Sequence, residues 1–147
     1  MRESLRVVGV LSLLATAAVL AQSKVPTMDQ GLAVSPKDAT WVPAKAPLPA
    51  GVMQSPIAAD PPPGGVIGYA KYAPGASVPE HWHSAAEYST VIAGNMRLKL
   101  DGKIHELSPG SYWVAPPKTP HQVTCLGPAE CIQLVRRGGP VDYNWVK

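Results

Sequence analysis

Short runs of apolar and β-branched residues recur along the chain from Val66 onward, and turn-forming residues separate them. Runs of this length and composition are typical of antiparallel strands. We predict strands over residues 66–72, 77–83, 87–92, 95–100, 103–107, 111–115, 121–125 and 131–136. This many short strands, with no helical pattern among them, favours an all-β fold, either a sandwich or a barrel.

The pair Asp101-Gly102 is the clearest turn in this region. Both central residues of a type I′ hairpin turn need a positive φ, which Asp-Gly tolerates. A two-residue loop here predicts a register with Leu100 opposite Lys103, Leu98 opposite His105, and Arg97 opposite Glu106. That register places four apolar side chains on one face, which we expect to be the core side: Met96, Leu98, Leu100 and Leu107.

Residues 1–21 are typical of a secretory signal peptide. Arg2 and Arg6 precede an apolar run over residues 7–20, and small residues stand at the cleavage-type positions before Gln22. The alternative is a membrane anchor, but the run is short for a hydrocarbon core of ~30 Å. We therefore predict a periplasmic or secreted protein with no stable membrane insertion after cleavage.

The rest of the chain divides into two parts. Residues 22–65 are rich in Pro, Ala and Gly, and their prolines exclude a long helix, so we predict an N-terminal arm with an extended segment over residues 41–57. Residues 66–147 are predicted to form the β-domain and a C-terminal tail. The 147 residues contain 13 Lys+Arg against 10 Asp+Glu. Because this small positive charge is unclustered, it gives no support to nucleic-acid binding.

Three of the four histidines fall in one pattern with a glutamate. His81 and His83 are two residues apart, so both side chains leave the same face of a strand. Glu87 reaches them only if the chain bends after His83, and His121 arrives from a separate strand. Imidazoles with one carboxylate suit one divalent transition metal: Fe, Zn, Mn, Ni, Cu or Co. The competing interpretation is four ordinary polar residues near turns.

The spacing of these residues resembles the two motifs of the cupin superfamily. Gly75, His81, His83, Glu87 and Gly94 match the first motif, and the second motif is similar to the segment that contains Gly110, Pro116 and His121. The resemblance implies a cupin-type double-stranded β-helix, that is, a jelly-roll barrel, with one metal bound by His81, His83, Glu87 and His121. Within the superfamily, the chain resembles small cupins of the type found in zinc-binding anti-sigma factors.

The second motif departs from the family at two positions. Lys118 stands where the family usually has Gly, and Cys125 where it often has Asn. Cys125 lies too far along its strand from His121 to share an ion with it. Instead, Cys125 and Cys131 flank a hairpin loop, and in an exported protein we predict a disulfide between them. Buried thiols and a redox-active pair are the alternatives.

Three functions are open at this point. The chain is a metal-dependent, oxygenase-like enzyme for a small organic molecule, a non-catalytic module that binds a metal or small ligand, or an interaction protein with a vestigial site. Homodimerisation is expected by analogy with cupins that pair through their sheets. His105 is expected to be a core or surface residue, and Arg136-Arg137 a solvated strand end.

Overall fold

The computed structural model describes residues 31–60 and 64–147. The predicted signal peptide over residues 1–21 and the first part of the arm lie outside this range. One short 3-10 turn, Pro36–Asp38, precedes the strands. In chain order the strands are β1 (Val42–Pro43), β2 (Val52–Asp60), β3 (Gly65–Tyr72), β4 (Ser77–Trp82), β5 (Glu87–Ala93), β6 (Met96–Leu100), β7 (Lys103–Leu107), β8 (Tyr112–Ala115), β9 (His121–Cys125), β10 (Cys131–Arg137) and β11 (Asn144–Trp145).

These strands form two sheets, as the all-β prediction required. A six-stranded sheet has the order β1-β2-β3-β10-β5-β8, and a five-stranded sheet has the order β11-β4-β9-β6-β7. All strand pairs are antiparallel, and chain neighbours repeatedly lie in different sheets. The connectivity is that of a jelly roll. β2 lies within the predicted N-terminal arm and pairs with β3 along its length.

The hairpin of β6 and β7 has the predicted register. Leu100 lies opposite Lys103, Leu98 opposite His105, and Arg97 opposite Glu106. Asp101 and Gly102 have φ values of 48° and 77°, which a type I′ turn requires. Of the four predicted core residues, Met96 and Leu98 are fully buried, whereas Leu100 and Leu107 pack against the core from its edge.

The hydrophobic core lies between the inward faces of the two sheets. Val78, Met96 and Val123 come from the five-stranded sheet, and Val91 and Trp113 come from the six-stranded sheet. Trp113 is buried while its neighbour Tyr112 is exposed, because successive side chains of a strand point to opposite faces. Val78 and Val123 of this core also line a cavity between the sheets.

Cys125 and Cys131 are joined by a disulfide that connects the end of β9 to the start of β10, and so links the two sheets. Their Cα atoms are 5.7 Å apart. Gly94 packs directly against this bridge: its φ is 75°, and a Cβ there would come within 2.8 Å of Cys131 Sγ. The position therefore requires glycine for both its conformation and its space.

Residues 138–147, here called the C-terminal segment, fold back onto the five-stranded sheet. β11 pairs with β4, with Asn144 opposite Trp82 and Trp145 opposite His81. The segment thereby reaches the strand that carries His81 and that ends immediately before His83. None of the residues in the described ranges forms a helix long and apolar enough to cross a membrane.

Candidate metal centre

The three predicted histidine ligands meet on the inner face of the five-stranded sheet. His81 on β4 lies directly opposite His121 on β9, and their ring centroids are 4.4 Å apart. His83 follows the last residue of β4, and its ring centroid lies 4.8 Å from that of His81 and 5.1 Å from that of His121. All three side chains are at most 3% exposed.

The tautomer of each ring is fixed by a backbone carbonyl, because a carbonyl oxygen can only accept a hydrogen bond. The Nδ1 atoms donate from His81 to Pro79 O (2.7 Å), from His121 to Thr119 O (3.0 Å), and from His83 to Asp142 O. Each Nε2 is therefore left with a free lone pair. A second hydrogen bond that orients the ring in this way is typical of histidines that bind metals.

The Nε2 atoms fit a metal ion. One ligand atom from each histidine lies within 4.8 Å of the others. The Nε2 atoms of His83 and His121 are buried and have no hydrogen-bond partner among the residues that the structure describes. A buried nitrogen without a partner destabilises the folded protein. A cation shared by the three rings would give these nitrogens a partner.

Glu87 lies beside this cluster rather than within it. The chain bends at Ser84 and Ala85, as the pattern required, and Glu87 opens β5 on the other sheet. Its Oε2 atom is 2.9 Å from His83 Nε2, without hydrogen-bond geometry. The cluster of close ligand atoms contains only the three histidines, so the role of Glu87 as a fourth ligand stays a prediction.

Arg137 is the residue that sequence reasoning placed wrongly. It is not a solvated strand end: it is 8% exposed, and its Nε and a terminal nitrogen lie 2.9 Å and 2.8 Å from Glu87 Oε2. The register of β10 on β5 sets Arg137 directly opposite Glu87. The alternation of inward-facing residues along β10 is the signal that could have identified it, since Cys131, Val135 and Arg137 share a face.

The charges of the site follow from burial and from this ion pair. Burial lowers the pKa of His81 to about 4, and the adjacent His121 contributes further. Burial also lowers the pKa of His121. Burial alone would raise the pKa of Glu87, but the Arg137 guanidinium and then His83 outweigh it and hold this pKa well below its usual range. At neutral pH the site thus combines neutral imidazoles at His81 and His121 with an ionised carboxylate, the forms that bind metals.

The loop before His121 tolerates the lysine that replaces the usual glycine. Lys118 adopts the left-handed conformation, with φ of 63°. Its backbone N–H donates to His83 O at 2.8 Å. This hydrogen bond joins the loop before β9 to His83. This backbone conformation is strained for lysine, which has a Cβ atom, but not for the glycine that is usual in the motif.

The remaining candidates lie away from the cluster. His105 is exposed on β7, which is an edge strand of its sheet, as expected of a residue that is not a ligand. Cys125 is fully buried in its disulfide at the other end of β9 from His121. The histidines and Glu87 thus form one site, and the cysteines form a separate structural link.

A family model described as a cupin domain matches residues 68–135, a range that contains the four predicted ligands. A solved structure described as an RmlC-like cupin, from Shewanella frigidimarina, also has this architecture, with a TM-score of 0.59 and 17% identity, covering 74% of this chain and 89% of that one. Residues 68–135 therefore form a cupin domain. The narrower resemblance to anti-sigma factors stays a prediction.

Other cupin-like structures are similar over most of their lengths. The polyketide cyclase RemF from Streptomyces resistomycificus has a TM-score of 0.66 and 22% identity, covering 80% of this chain and 87% of its own. A predicted oxalate decarboxylase from Thermotoga maritima has a TM-score of 0.63 and 17% identity, covering 72% and 97%. No curated protein matches the sequence significantly. Identities this low establish the cupin fold alone.

Proposed function

We propose that this cupin binds one divalent transition metal and acts as a metal-dependent enzyme on a small organic molecule. His81, His83 and His121 would hold the metal, and Glu87 is the predicted fourth ligand. The observation that carries the proposal is the convergence of three buried, oriented histidine rings beside a cavity. RemF and the Thermotoga protein, which share the fold, are both described as enzymes.

The cavity has the size and character of a small-molecule site. Its volume is about 210 Å³, and His81, Glu87 and His121 form part of its wall. Most of the remaining lining is apolar and includes Leu48, Val52, Val66, Val78, Val123 and Val135. An apolar cavity with a few convergent polar groups is the usual form of a ligand site. Its walls would exclude bulk water from a bound molecule.

The chain's own residues prepare this site in two ways. The backbone carbonyls hold the imidazoles in the tautomer that a metal needs, and Arg137 keeps Glu87 ionised and fixed in position. A metal held there would supply Lewis-acid polarisation of a bound oxygen or, with iron, oxygenase chemistry. We favour the oxygenase-like activity, and non-catalytic binding of a metal or small ligand is the alternative.

Export is part of the same proposal. The apolar run over residues 7–20 favours secretion, and the disulfide between Cys125 and Cys131 supports an oxidising compartment, where such bonds persist. We accordingly propose a periplasmic or secreted protein, cleaved after Ala21. The N-terminal sequence of the mature protein, measured by mass spectrometry after expression with its leader, tests this directly: an intact Met1 in the cytoplasmic fraction would contradict export.

Elemental analysis of the natively purified protein tests the metal site. We expect about one transition-metal ion per chain, and a loss of affinity of more than about 100-fold in His83→Ala, because that variant removes one of three converging nitrogens. His105→Ala is the matched control, since it removes an exposed imidazole from the same sheet. Equal metal content in the two variants would overturn the proposal.

The identity of the metal then separates the activities. Stoichiometric iron, with oxygen consumption in the presence of a small organic substrate, would support the oxygenase-like enzyme. Stoichiometric zinc would favour Lewis-acid chemistry or the binding module. Full occupancy with no product across a broad set of substrates would support the non-catalytic alternative.

A further inference from the structure

The cavity has a second polar end that the metal site does not use. Gln133 on β10 is 1% exposed, and its Oε1 atom has no hydrogen-bond partner within residues 31–60 and 64–147. Its Nε2 atom donates to the Tyr72 hydroxyl at 2.9 Å. Both side chains line the cavity. A buried carbonyl oxygen without a donor is rare in folded proteins, and one that lines a cavity indicates a missing donor.

The chemistry of this pair matches a hydroxyl group. An alcohol can donate its proton to Gln133 Oε1 and accept a hydrogen bond from the Tyr72 hydroxyl. Burial raises the pKa of Tyr72 well above its usual value, so the phenol keeps the proton that it would donate.

The opposite end of the cavity favours an anionic group. Gln133, Val135 and Arg137 face inward along β10, so about 13 Å of strand separates the first from the last. Arg137 and Glu87 cancel each other's charge. A divalent ion on the histidines would leave this end with net positive charge, which a carboxylate of the ligand would balance. The rest of the cavity lining is mostly apolar.

We propose that the cavity binds a small carboxylic acid that carries a hydroxyl group at the far end of an apolar chain, with the hydroxyl held by Gln133 and Tyr72. The placement of the carboxylate rests on the proposed metal site. The recognition of the hydroxyl does not, because it depends on Gln133 and Tyr72 alone. Gln133 and Tyr72 would therefore determine specificity for the non-reacting end of the ligand.

Calorimetric titration of the zinc-loaded protein tests this proposal. The ligands are butanoate, hexanoate and octanoate, each compared with the acid of the same length that bears a terminal hydroxyl. For the best-fitting length we expect the hydroxy acid to bind about tenfold more tightly than its parent, as one satisfied buried acceptor implies. In Gln133→Leu the preference should vanish or reverse, because an apolar group then occupies the position of the acceptor.

Two further variants separate recognition from folding. Gln122→Leu makes the same substitution on β9 at a residue that donates to Ser77 and is not part of the cavity lining, and it should keep the tenfold preference. Tyr72→Phe removes only the phenol oxygen and should reduce the preference in part, which provides a readout if Gln133→Leu fails to fold. Each variant's melting temperature and zinc content are measured first.

The results distinguish this proposal from the metal site. If the wild-type protein binds no zinc but still binds the hydroxy acid more tightly than its parent acid, the proposed function is overturned and the role of Gln133 stands. Normal zinc content with equal affinities for acid and hydroxy acid, or with no binding of either, would overturn the role of Gln133. A preference that survives both Gln133→Leu and Tyr72→Phe would do so as well, since other groups would then recognise the hydroxyl.

Discussion

Two histidines of the metal centre are held by their own strands, whereas the third is held by the far end of the chain. His81 and His121 donate to the carbonyls of Pro79 and Thr119, each two residues earlier. His83 donates instead to Asp142 O, 59 residues later. The first two nitrogens are therefore oriented as soon as β4 pairs with β9. The third is oriented only when the C-terminal segment is in place.

The C-terminal segment also packs against the rings of His81 and His83. The Tyr143 ring centroid lies 5.2 Å from His81 and 5.0 Å from His83, and Trp145 lies 5.4 Å from His81. The Arg137 guanidinium lies over the Tyr143 ring, 4.8 Å from its centroid. The segment is thus a component of the site, and its removal should affect His83 more than its two partners.

Of the changes considered below, deletion of residues 141–147 should have the largest effect on zinc affinity. His83 Nδ1 loses its acceptor, and the three ring contacts that Tyr143 and Trp145 make with the histidines disappear, so we expect zinc affinity to fall roughly 100-fold. Competition titration against a chromophoric chelator measures the change. Deletion of Lys147 alone, which lies beyond β11, is the control and should change little. Equal affinities for the two truncated proteins would show that His83 needs no remote support.

Asp142→Ala should have a smaller effect because it keeps the backbone carbonyl. The carboxylate accepts from Ser84 N at 3.0 Å and from Asn144 Nδ2 at 2.8 Å, so it fixes the segment rather than the imidazole itself. We expect zinc affinity to fall about three- to tenfold in the same titration. Asp38→Ala, at an exposed aspartate in the 3-10 turn, is the control. A loss as large as that of the deletion would assign the positioning of His83 to the side chain.

The features that depend only on residues close together in the chain could be predicted from the sequence. The register of the β6–β7 hairpin follows from Asp101-Gly102, and the shared face of His81 and His83 follows from their two-residue spacing. Neither needs knowledge of a distant partner. The same is true of the bend that brings Glu87 back, because the short link of Ser84 and two alanines allows it.

The remotely determined part could not be predicted. Alternation along β10 indicates that Arg137 faces inward, but its ion pair depends on β10 pairing with β5, which places it against a glutamate fifty residues away. The contact of His83 with Asp142 uses a backbone carbonyl, which every residue has and no motif marks. Gln133 gave no signal for the same reason, since its unpartnered oxygen becomes apparent only once a cavity surrounds it.

Removal of the disulfide should change metal binding least of all. Cys125 lies four residues beyond His121 on β9, about 13 Å along the strand, and the His121 ring is oriented by Thr119 on the other side. For Cys125→Ala combined with Cys131→Ala, urea unfolding should show a loss of about 2 kcal/mol, the cost expected for opening a short cross-linked loop. Zinc affinity should stay within about twofold of the wild-type protein. A large loss of affinity in a variant that still folds would mean that the alignment of β9 depends on its far end, and His121 would then belong with His83 among the remotely supported ligands.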